Sequence, residues 1–277
     1  MAPIHGAYAS SPFNFSTGSP DGKIGMASRP PSPGLLEIEA ADDFIATLDT
    51  TVNHATFIGL LPSGAPLSSI TQVNIEMYRV FPLDSVDPPS GSVPTRVNSP
   101  SDNEFHSRSS AVVGDLTFTA TILASSFSVI NTVVNGINKA PNQFTGGEGA
   151  ATGEEVSFDV TLTNPFILPH DHYFFVPQVE LVSGTFLWLS APRPIVGGTG
   201  PFTPDLEAWI RNSNLAPDWL RVGTDITHQG PFNGLFSLSG TSISANGIPE
   251  FPLPAILVGA IALAVVAGLR KFRVTQR

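Results

Sequence analysis

The sequence predicts a mainly β protein: an antiparallel β-sandwich of jelly-roll type followed by one C-terminal transmembrane helix. Three observations predict it. Apolar and polar residues alternate strictly in many short runs between about residues 35 and 245. Gly, Pro, Asn and Asp cluster between those runs. The chain then closes on 19 uncharged residues, Phe251 to Leu269, followed at once by a basic tail. Alternation with period 2 gives a strand one buried and one wetted row of side chains, as sandwich strands require.

Taken in order, the first segment is 1–9, MAPIHGAYA. Ala7-Tyr8-Ala9 has the small-x-small form of a signal-peptidase site, so these residues are read as the remnant of a signal peptide. Residues 10–245 are read as a single sandwich domain. Strands are expected at 42–49 and 55–60. The next covers Val73, Ile75 and Met77, which alternate with Asn74, Glu76 and Tyr78. In another, Leu116, Phe118, Ala120 and Ile122 alternate with threonines. Further strands are expected at 126–134, at 156–163 (Val156, Phe158, Val160 and Leu162 on the buried side), at 172–182, at 184–190 and at 233–239. Turn residues gather at 62–66, 84–103, 138–153 and 192–204, and 84–103 reads as a long polar loop. One short helix is expected: Thr203-Pro204-Asp205 supplies start signals, and Leu206, Trp209 and Ile210 would share a face before Asn212-Ser213-Asn214 ends it. No internal repeat is present, which argues against a propeller or solenoid.

Composition narrows the function classes. There are 277 residues and no cysteine, which excludes disulfides, thiolate metal sites and cysteine nucleophiles. All 23 acidic residues lie at or before Glu250, against 9 basic ones there, so residues 1–250 carry a net charge of −14. Such a surface repels nucleic acid.

The C-terminus carries the address. Residues 253–269 are expected to form a transmembrane helix, since about 20 apolar residues cross a bilayer. The cluster Arg270, Lys271 and Arg273 would stop transfer and keep the tail, 270–277, cytoplasmic, with the bulk of the chain outside. Residues 246–252 form a linker holding Pro249, Glu250, Phe251 and Pro252. A Pro-Glu-led motif, one apolar span and a basic end resemble the PEP-CTERM sorting signal of exosortase-processed bacterial proteins. The usual Pro-Glu-Pro is here Pro-Glu-Phe-Pro, closer to the Pro-Glu-Phe variant of archaeal relatives. The stretch 168–226 also resembles a segment found in other proteins that bear this signal. The resemblance implies export, sorting by an exosortase-type enzyme, removal of the anchor and association with exopolysaccharide.

Candidate chemistry in the body is sparse. His170-Asp171-His172 has metal-ligand type, with both histidines on one face of a strand; the competing reading is an exposed strand entrance. Asp42-Asp43 could ligate Ca²⁺ with loop carbonyls, or could simply end a solvated strand. Glu154 and Glu155 would point to opposite faces. No nucleophile elbow is present, and Gly146-Gly147-Glu148-Gly149 precedes a strand instead of the helix a phosphate loop needs. Trp188 and Trp209 are expected in the core, whereas Trp219, after Pro217-Asp218, is expected to be the most exposed tryptophan and a possible sugar platform. These features lead to an expectation of a non-enzymatic cell-envelope or extracellular-matrix protein, without cofactor or metal and anchored in the membrane. The alternative is a carbohydrate-binding module displayed on the surface.

Overall fold

The structure, a computed structural model, describes residues 8–87, 91–137 and 145–245. The segments expected to form most of the signal remnant, the sorting motif, the span and the basic tail lie outside these residues. Among the described residues no helix is long and apolar enough to cross a membrane. The chain divides into a main unit, Ser11–Ser242, and a second unit made of Met1–Ser10 and Ile243–Arg277. What is described of the second unit is the outer ends of the first and last strands.

Among the described residues the strands are, in chain order, β1 (Tyr8–Ser16), β2 (Ile24–Ala27), β3 (Ile38–Ala46), β4 (Asp49–Pro62), β5 (Ile70–Arg79), β6 (His106–Ser109), β7 (Leu116–Val129), β8 (Asn131–Val133), β9 (Ala151–Leu168), β10 (Asp171–Leu181), β11 (Leu187–Ala191), β12 (Trp209–Asn212), β13 (Leu220–Arg221), β14 (Asn233–Gly234) and β15 (Phe236–Ala245). They form two sheets. The larger runs β1-β15-β4-β11-β2-β8, with β9 and then β7 extending from β4 and β14 from β11. The smaller runs β13-β12-β3-β10-β5-β6. Strand β2 runs parallel to β8; β10 runs antiparallel to β3 and β5, β9 to β4 and β7, β11 to β2, β4 and β14, β12 to β3 and β13, and β6 to β5.

The alternation in sequence lands where it was expected on β9 and β5 but not on β7, where Leu116 is buried, Phe118 and Ala120 are half-buried and Ile122 is exposed. On β9, Val156, Phe158, Val160 and Leu162 are buried while Asp159, Thr161 and Thr163 are exposed. The inward rows of the two sheets meet in one core. Phe175 of the smaller sheet stacks on Phe236 of the larger at 4.8 Å and meets Trp188 at 6.2 Å and Phe57 at 6.4 Å. Each such buried aromatic contributes on the order of 1.5–3 kcal/mol. Two glycines permit this density. A Cβ at Gly59 would strike the Phe186 ring, and one at Gly234 would strike the Trp188 indole.

The smaller sheet departs from simple alternation. Seven consecutive residues of β10, Tyr173 to Val179, are buried, so this strand is covered on both faces. Ala41, Tyr78, Phe174, Val176, Leu206, Trp209 and Trp219 make a second apolar cluster on the outer face. The expected helix at 203–212 is not formed. Its C-terminal part is strand β12, paired with β3 from Trp209↔Ala41 to Asn212↔Ile38. The reason is burial: Trp209 enters the outer cluster and Ile210 the inter-sheet core, which a strand achieves with adjacent residues and a one-faced helix does not. Asp205 does not cap a helix; it faces Arg193 at 3.6 Å. The only other helical pieces among the described residues are a 3₁₀ turn, Leu67–Ser69, and a π turn, Val222–Thr227.

Candidate functional site

The outer face of the smaller sheet gathers the charged side chains the sequence left scattered. Glu39 on β3 and Arg211 on β12 are direct cross-strand partners. Arg211 donates from Nε to Glu39 Oε2, from Nη2 to Glu39 Oε1 at 2.9 Å and from Nη2 to the Tyr78 hydroxyl at 3.0 Å. Tyr78 in turn donates to Glu39 Oε1 at 2.5 Å. The Arg211 guanidinium lies 4.3 Å from the centre of the Trp219 ring. Burial alone would lower the pKa of Arg211, but the charge and hydrogen bonds of Glu39 outweigh it and the net shift is upward. Burial drives Glu76 well above the usual carboxylate range, and the charges of Glu39, Glu37 and Glu104 add to it.

A second ionic knot fastens the loop between β5 and β6. Arg96 is 2% exposed. It donates to Asp102 at 2.8 Å, to Asp218 at 3.0 Å, to Ser99 Oγ at 3.0 Å and to the Pro100 carbonyl at 3.2 Å. Its guanidinium sits 4.7 Å from the Phe81 ring. Burial would raise Asp102, but Arg96 and two backbone amides, Val86 and Asp87, hold it below its ordinary value. The stretch expected as a long polar loop is thus tied down through Arg96, Ser99 and Asp102, and its Ser101 carbonyl meets Trp219.

Trp219 is therefore not the exposed tryptophan. It is 0% exposed, its Nε1–H donates to the Ser101 carbonyl at 3.1 Å, and its ring packs edge-on against Tyr78. Trp188 and Trp209 are buried too. A buried indole has no face to offer a sugar ring, so the platform does not exist at this residue. The signal that could have warned of it was Tyr78, an aromatic on the row of β5 read as wetted, beside the unbroken apolar run of β10.

The metal candidates separate. His172 pairs with Asp43 at 2.6 Å, with Leu206 N–H donating to the other oxygen of Asp43, while His170 stands exposed beside Asp49. Asp42 aligns with Phe175 and faces the inter-sheet core, whereas Asp43 aligns with Phe174 and faces out. Strand parity sends the two carboxylates to opposite sides, so the pair does not converge on one ion. Burial, then the charges of Asp43 and Asp205, push Asp42 well above its ordinary range, and it accepts a hydrogen bond from the Gly234 amide of the other sheet. Among the described residues no three His, Asp or Glu side chains are grouped to hold a metal. Glu154 is half-buried and Glu155 buried, on opposite faces of β9 as parity requires.

Known proteins add little. No family model matches this chain, and no curated protein matches it. Among solved structures it aligns with the cysteine protease and lectin-like domains of Cwp84, a surface layer associated protein of Clostridium difficile. The identity is 11%, and the alignment covers 76% of this chain and 33% of that one, with a TM-score of 0.30. This chain thus spans about a third of that protein's chain. Likeness at that level carries no argument about function.

Proposed function

We propose that this chain is a non-enzymatic, exported cell-envelope or matrix protein. In this reading 10–245 form a jelly-roll-like sandwich ectodomain, Pro249-Glu250-Phe251-Pro252 is read by an exosortase-type enzyme, and 253–269 hold the chain in the membrane until processing. The observation that carries it is the C-terminal sequence: 19 uncharged residues bounded by a Pro-Glu motif and by Arg270, Lys271 and Arg273. The described body is consistent with a displayed scaffold, because the buried arginines of the outer face, Arg96 and Arg211, are each spent on acids of the same chain. Glu39 is occupied by Arg211, and Asp102 by Arg96. The carbohydrate-module alternative loses its named residue with the burial of Trp219.

The test is fractionation of the full chain. Replacing Leu263 and Val265 by Arg places two charges in mid-span, each costing about 2.5–3.5 kcal/mol on insertion scales. The variant is expected in the soluble fraction and the parent in the membrane pellet. If both partition alike, the segment is not the anchor and the proposal falls.

A further inference from the structure

Arg29 differs from the other buried arginines. It is 8% exposed, yet no carboxylate lies within ion-pair distance of it among the described residues. Arg29 donates from Nε to the Leu36 carbonyl at 3.2 Å and from Nη1 to Thr185 Oγ1 at 3.2 Å. A guanidinium has five N–H groups, so three remain without a partner among the described residues. Its burial lowers its pKa, the sign of a cation left uncompensated. In a body with net charge −14, that isolation needs a reason.

Arg29 lines a cavity of about 350 Å³. The hairpin 29–38 forms one wall, with bridges Arg29↔Ile38 and Ser32↔Leu35. It brings Leu35 and Leu36 to the rim, 43% and 46% exposed. Asn135 and Asn214 also line the cavity, exposed, with no side-chain hydrogen bond to a described residue. Among the described residues no acid lines the cavity. The nearby Glu148 accepts from the Val134 and Asn135 amides at 2.8 and 2.9 Å and is spent there.

We infer that this cavity binds a hydroxylated carboxylate the size of one sugar acid, its carboxylate on Arg29, its hydroxyls on Asn135 and Asn214, and its apolar face on Leu35 and Leu36. The donor set selects this class. A guanidinium with free N–H groups suits a planar carboxylate. Each amide offers both a donor and an acceptor, the pattern a hydroxyl pair satisfies. A simple fatty carboxylate would leave both amides unpaired when it displaced water. The volume falls at the lower end of the range for small-molecule sites, about 300–1,000 Å³. The inference stands apart from the export reading, since binding in solution and membrane partition are separate measurements.

The experiment is saturation-transfer NMR on the full chain in detergent micelles, with D-glucuronate, D-glucose and hexanoate as probes. Glucuronate is expected to bind, and glucose and hexanoate at least about tenfold more weakly, each tenfold being about 1.4 kcal/mol. Arg29→Gln is expected to abolish binding. Because Arg29 is buried, the exposed Asn214→Asp provides a second variant that leaves the fold intact. Its added charge is expected to weaken glucuronate by about tenfold or more through like-charge repulsion. Absence of glucuronate transfer, equal binding of hexanoate or glucose, or unchanged binding by Asn214→Asp would each overturn the assignment.

Discussion

Asp42 and Arg211 show how single residues set the behaviour of this interior. Asp42 has a raised native pKa, caused first by burial and then by Asp43 and Asp205. A raised pKa means the folded state holds its proton more tightly than the unfolded chain, whose Asp titrates near 3.9. Its contribution to stability is full below that value and is lost as pH rises toward the native pKa. Asp42→Asn keeps the shape and removes the titration. The variant is therefore expected to gain melting temperature relative to the parent as pH rises from about 4 to 8, with about 2–4 °C per kcal/mol for a domain of this size. Parallel melting curves across that range would refute it. Arg211 has the opposite logic. Arg211→Met strands Glu39 in a sealed site and is expected to cost about 3–5 kcal/mol in denaturant titration. Adding Glu39→Gln should recover part of that loss, because the uncompensated charge is gone.

At the scale of elements, most of the longer strands were legible, the doubly covered β10 among them, and the short strands were not. The buried row of β9 and that of β5 follow directly from alternation. Strand β12 was read as a helix because Leu206, Trp209 and Ile210 fit a 3.6-residue period. That pattern cannot reveal that an element is buried on two sides. Strands β1, β2 and β6 lacked strong alternation and passed unnoticed. The candidate site residues suffered from the same gap: nothing in the local sequence says that Arg96 will meet Asp218 across 122 positions. The loop it anchors gives a prediction. Arg96→Ala should release 81–105 and raise amide exchange there and around Trp219, with the protection of β9 and β4 retained. Uniform loss of protection would instead mean that the loop and the sandwich unfold as one unit.

For the molecule as a whole, the two sheets divide the stabilising work differently. The larger sheet is held by the aromatic inter-sheet core, and the smaller is held twice, by that core and by the charged and aromatic cover on its far side. Glu39 finds Arg211 at a separation of 172 positions, and Tyr78 finds it at 133. Non-local pairing of this kind makes folding slow, on the order of milliseconds to seconds for all-β domains. It also imposes an order on biosynthesis. When Glu39 leaves the ribosome, its counter-charge has yet to be made, and at about 5–20 residues per second the wait is roughly 10–30 s. Throughout that interval Glu39 has no counter-charge to meet, so the ion pair that joins β3 to β12 closes only after Arg211 has been synthesised.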